Sequence, residues 1–74
     1  MSRLLLDKLK EFKGKKLSIL VEGNDVFTGI LREYDSDILV LSDVVDYQGN
    51  KGKELMVALS NVLWIMLEVN SKYK

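Results

Sequence analysis

The sequence contains no cysteine, no histidine and no proline. Without cysteine there can be no disulfide. Without cysteine and histidine, a zinc site would need an all-carboxylate ligand set, which is unusual for that metal. Without proline, no strand edge is protected by a residue that cannot pair. Net charge is also missing, since eleven basic residues balance eleven acidic ones, so the whole-molecule field carries no nucleic-acid signature. No apolar run reaches the length of a membrane span. Asp7 and Glu11 interrupt the N-terminal leucines, unlike a signal peptide. The expected location is cytoplasmic, with no membrane partner.

These absences bear on stability. The 74 residues are enough for a single domain over 1–74. A chain of this size buries only about 60% of the surface it exposes when unfolded. Small domains compensate with disulfides, a structural metal or a partner subunit. With the first excluded and the second disfavoured, oligomerisation remains.

What is present is apolar and unevenly charged. Hydrophobic residues make up 47% of the chain, which argues against disorder. The 30% charged content, mostly Lys, Asp and Glu, leans towards a heat-adapted source. Residues 1–16 hold six Lys or Arg against two acids, residues 22–46 hold seven acids against one Arg, and residues 47–74 carry a net +2. A polyanion is therefore expected to prefer the N-terminal segment and avoid the middle.

Leu5, Leu9 and Phe12, widened by Leu6, repeat at helical spacing after the candidate N-cap Ser2, and Gly14 supplies a stop. The spacing predicts a short amphipathic helix over 3–13 that exposes Lys8, Lys10 and Glu11. From Lys16 the period changes to that of strands. The expected strands are 16–21, 26–34, 38–45, 54–59 and 62–69. The turn Glu22-Gly23-Asn24-Asp25, the acidic elbow Asp35-Ser36-Asp37, a hairpin loop over 47–53 and Ser60-Asn61 separate them, with a frayed tail over 70–74. Gly29 inside the second strand marks a bend or a close backbone approach. One helix followed by five closely connected strands predicts a mainly β fold, a small and strongly bent antiparallel barrel of SH3-like type.

Strand five stands out. Its "VLWIML" is apolar at six consecutive positions with no charge to guard the edge. Continuous apolar runs require cover on both faces, and a bare edge invites further pairing. A second copy of the chain is the expected cover. The helix, with one apolar stripe, is the weaker candidate.

"VEGNDVFTGILREYDSDILVLSDV" and "LMVALSNVLWI" together resemble the two motifs of the Sm-like (LSm) family. The matching features are the turn glycine Gly23, Phe27-x-Gly29, Tyr34-Asp35, an apolar strand ending in Asp43, and Asn61-Val62 with Ile65. The resemblance covers nearly the whole chain. It implies a helix on a five-stranded bent barrel and a hexameric or heptameric ring in which strand four of one subunit pairs with strand five of the next. The expected self-interface comprises Leu55, Val57 and Leu59 with Val62, Leu63, Trp64, Ile65, Met66 and Leu67. The family also implies binding of single-stranded, uridine-rich RNA, and here the sequence departs from the pattern. Ile38 or Leu39 occupies the place of the base-reading Asn, and Ala58-Leu59 stands where Arg-Gly belongs. Ser36, Asp37, Ser60 and Asn61 are the matching pocket positions, but Asp35 and Asp37 would repel phosphate. Lys8, Lys10 and Lys13, with Arg3, Lys15 and Lys16, offer a different RNA contact.

Asp35, Asp37, Asp43 and Asp46 could gather a hard cation only if the fold brought them together; no calcium-loop spacing is present. Asp35 is expected to bond its own backbone instead. No nucleophile–base pair and no glycine-rich phosphate cradle occur, so a non-catalytic protein without cofactor is expected. Three readings stay open: a ring that associates with RNA, a homo-oligomeric scaffold or protein-interaction module without RNA, and a small barrel serving as a subunit of a hetero-complex.

Overall fold

The computed structural model describes residues 3–67. The candidate cap Ser2, the last two positions of the expected fifth strand and the tail over 70–74 lie outside them. Helix α1 (Arg3–Phe12) precedes β1 (Lys16–Val21), β2 (Asp25–Tyr34), β3 (Ile38–Asp46) and β4 (Lys51–Ala58). A short 3-10 turn (Leu59–Asn61) leads into β5 (Val62–Leu67). All pairings are antiparallel and the sheet order is β4-β3-β2-β1-β5. This is an N-terminal helix on a bent five-stranded sheet, as the sequence predicts.

The bend has a local cause. Between Thr28 and Ile30 the β3 strand carries one extra residue, and beyond Leu31 the extra residue is on β2. Such bulges kink a strand and increase its twist. Asp43 takes a left-handed φ of 52° at the first bulge, a conformation that Asp tolerates better than most side chains. Gly29 faces it. A Cβ there would lie 2.9 Å from the Ser42 carbonyl oxygen, so the close backbone approach expected of this glycine is what the fold uses.

Leu9 of α1 packs with Leu17, Ile19, Leu31, Leu39, Leu41, Val44 and Leu59 in one core. Leu5 and Phe12 flank it, so the predicted helical stripe is the buried one. Two expectations need correction. The hairpin loop is shorter than 47–53, because Lys51 and Gly52 pair with Val45 and Val44. Asp46 closes that turn, its Oδ1 accepting from the backbone N–H groups of Gln48 and Asn50, each at 2.9 Å. In addition, Leu59 leaves β4 for the 3-10 turn and is buried in the core, which withdraws it from the expected self-interface.

Candidate functional site

The elbow between β2 and β3 is built by Asp35. Its Oδ1 accepts hydrogen bonds from the backbone N–H groups of Asp37 at 2.7 Å and Ile38 at 2.9 Å. The Asp35 N–H donates to the Ile38 carbonyl at 3.0 Å. The Asp37 amide, followed by that of Ile38, holds the Asp35 carboxyl below its ordinary range. A carboxylate engaged in this way builds a turn. Asp46 plays the same part at the next turn, where the Asn50 amide is the main cause of its lowered pKa.

The 3-10 turn is fastened on both sides. Leu59 N–H donates to the Asp37 carbonyl at 2.8 Å, and Glu22 N–H donates to the Asn61 carbonyl at 2.9 Å. The fold thus sets Asp37 against Leu59, so the elbow that carries Ser36 and the turn that carries Ser60 and Asn61 adjoin each other. It also brings Glu22 to the far side of the same turn. The residues whose backbones meet the 3-10 turn, Asp37 and Glu22, are both acidic, as is Asp35 at the elbow beside them. A hollow of about 260 Å³ beside the elbow is lined by Glu33, Tyr34, Asp35, Ile38, Val40 and Met56. It contains none of the four motif positions. Tyr34 packs against the core. Among the described residues no group of three or more acids, histidines or cysteines could hold a metal ion.

Lys8, Lys10 and Lys13 belong to another part of the molecule. All three are exposed. Lys8 borders a groove of about 300 Å³ between α1 and β5, lined by Leu4, Leu5, Leu9, Ile65 and Leu67. Lys13 lies in the turn after the helix.

The two outer strands form the second candidate surface. In the order β4-β3-β2-β1-β5, β4 and β5 each have one neighbour only. On β5, Val62, Ile65 and Leu67 pack against the core. Leu63, Trp64 and Met66 are exposed by 56%, 42% and 56%. Leu63 is the extra residue at a register shift between Leu20 and Val21. On β4 the exposed apolar residue is Met56, at 67%, while Leu55 and Val57 turn towards the core. The alternation Leu55, Val57, Leu59 had pointed to the inner face. Because successive side chains point to opposite faces, the outer face between Leu55 and Val57 belongs to Met56.

Comparison with known proteins agrees with this geometry. No family model matches the chain, and no curated protein matches it. Among solved structures, a conserved hypothetical protein from Pyrococcus furiosus is 43% identical, with a TM-score of 0.77, covering 88% of this chain and 98% of that one. A heptameric archaeal Sm protein is 29% identical, with a TM-score of 0.76 and coverages of 84% and 97%. An Sm-like protein heptamer from Pyrobaculum aerophilum is 27% identical, with a TM-score of 0.80 and coverages of 95% and 100%. The chain belongs to the Sm-like family. No described helix is long and apolar enough to cross a membrane.

Proposed function

We propose that this protein is a non-catalytic subunit of a homo-oligomeric Sm-like ring, closed by pairing of β4 from one copy with β5 of the next, and that the ring associates with RNA. The open edges carry this reading. Pairing them would satisfy the unpaired backbone of both strands. It would also bring Met56 of one copy onto the same outer face as Trp64 and Met66 of its neighbour. The heptamers formed by the two Sm relatives make seven the expected copy number.

RNA contact is assigned to the basic N-terminal segment, not to the elbow. Arg3, Lys8, Lys10, Lys13, Lys15 and Lys16 are all exposed, and none is ion-paired among the described residues. Around a ring the segment is repeated in every copy, so weak contacts act together. A scaffold without RNA contact is the second reading. The acidic residues Asp35, Asp37 and Glu22 near the 3-10 turn favour it, because negative charge there disfavours phosphate.

Solution mass measured alongside oligo-uridine binding across a salt series separates the two. An oligomer whose RNA affinity falls steeply with salt supports the first reading, since phosphate contacts release counterions. An oligomer that ignores RNA at low salt makes the protein a scaffold, and a monomer removes both readings.

A further inference from the structure

The fold moves one residue across the charge map. Arg32 is the only basic residue in the acidic stretch 22–46. Two backbone hydrogen bonds bring its strand against the α1–β1 turn. Gly14 N–H donates to the Leu31 carbonyl at 2.7 Å, and Leu31 N–H donates to the Lys15 carbonyl at 3.0 Å. Lys16 opens β1 opposite Ile30, two residues before Arg32. The backbones of Lys13, Lys15, Lys16 and Arg32, all exposed residues, therefore meet where the helix joins the sheet.

Arg32 is also held in place. Its Nε donates to Ser42 Oγ at 2.7 Å, which fixes the plane of the guanidinium. The terminal nitrogens have no partner among the described residues. A guanidinium anchored by Nε with its outer edge open suits a phosphate oxygen, since planar donors approach such groups in pairs. Lys15 lies over the Phe12 ring, 5.5 Å from its centroid, which restrains it near the same turn. Glu33 follows Arg32, and Glu54 stands opposite Ser42 in register. These acids border the patch on the β3–β4 side, so a phosphate would approach from the side of Lys15 and Lys16.

We infer that this α1–β1 junction, centred on Arg32 and Lys16, is the surface that holds the RNA backbone, and that it does so without reading bases. The inference rests on the proposed RNA association and locates it. Lys16 pairs with Ile30, two residues before Arg32. Arg32 is the extra residue of the irregularity between Leu31 and Glu33, and a bulge turns such a residue away from the regular ladder. None of the four side chains is an amide or a free aromatic platform, and the one guanidinium, Arg32, is engaged by Ser42, so weak discrimination between bases is expected. The lysines on the exposed helix face, Lys8 and Lys10, are secondary.

The test is fluorescence anisotropy with labelled oligo-uridine and oligo-adenosine between about 50 and 200 mM salt. It compares the wild type, Arg32→Ala, Lys16→Ala and the double variant Lys8→Ala/Lys10→Ala, with solution mass and circular dichroism recorded for each. Arg32→Ala and Lys16→Ala should each weaken binding about tenfold and reduce the salt slope by about one. The helix double variant should stay within about threefold of wild type, and the two RNA sequences should bind alike. Lys16→Ala removes no hydrogen bond within the fold, so it carries the test if loss of the Ser42 contact unfolds the arginine variant. If RNA binds but only the helix double variant loses it, the junction is wrong and RNA association stands. A strong preference for uridine, or equal competition by polyglutamate, overturns a phosphate-backbone site. No salt-sensitive RNA binding by the wild type overturns the site and the RNA reading together.

Discussion

The central strands and the outer strands of this sheet are both rich in apolar residues but bury them very differently. Six of the eight buried core residues come from β1, β2 and β3, namely Leu17, Ile19, Leu31, Leu39, Leu41 and Val44. None comes from β4 or β5, although β5 is apolar at every position. In β3, buried Leu39 and Leu41 alternate with half-buried Val40 and Ser42. In β5, Trp64 and Met66 face away from the core and Leu63 is displaced by a register shift. Hydrophobicity in the centre serves the fold of one chain. At the edges it exceeds what one chain can cover, and that surplus is the physical basis for self-assembly.

Substitutions at the centre of the sheet should have the largest effect. Leu41→Ala removes a fully buried side chain from the middle of the core and should cost about 2–5 kcal/mol, read as a lowered denaturant midpoint. For so small a domain that approaches the whole margin of stability. Gly29→Ala sets a methyl group against the Ser42 backbone oxygen and the Val44 side chain. A cost of about 1–3 kcal/mol is expected, because the obstacle is backbone and cannot rotate away. If the variant keeps wild-type stability, the bulge is more yielding than its geometry implies.

Edge substitutions should act the other way. Met56→Lys is expected to change the stability of the isolated chain by no more than about 0.5 kcal/mol, while lowering the solution mass. A variant that unfolds without changing mass would mean that Met56 supports the fold and not the interface.

The smallest effect concerns pH. The Asp35 and Asp46 carboxyls titrate below their ordinary values because backbone amides bond their charged forms. Their contribution is therefore complete above the unfolded carboxylate range, near pH 4. It is lost as pH falls further and the folded groups take up protons. The wild-type unfolding midpoint should decline below that range, and Asp35→Asn should show a shallower decline. An identical acid profile would remove the elbow carboxylate from the account of stability.

Much of the fold was legible because local and long-range signals agree. Leu5, Leu9 and Phe12 have helical spacing and pack together. Leu17 and Ile19 alternate and are buried, and the Asp35 elbow bonds its own backbone as its residue types predict. The start of β4 was not legible, since Lys51 and Gly52 have poor strand propensity and are held only by pairing with β3. Leu55 and Val57 were expected at the self-interface, yet both pack against the core, and the outward position between them is Met56. The Arg32 cluster could not be read at all. It exists only because Leu31 bonds to Gly14 and Lys15, some sixteen residues earlier in the chain, and no local pattern announces such a meeting.

The central claim is that the surplus apolar surface at the edges joins copies of the chain. Analytical ultracentrifugation of the wild type beside Trp64→Lys tests it most directly. The account predicts a wild-type species near seven times the 8.5 kDa chain mass, and a folded variant at the mass of a single chain. A folded wild-type monomer, or a Trp64→Lys variant that assembles as the wild type does, would contradict it.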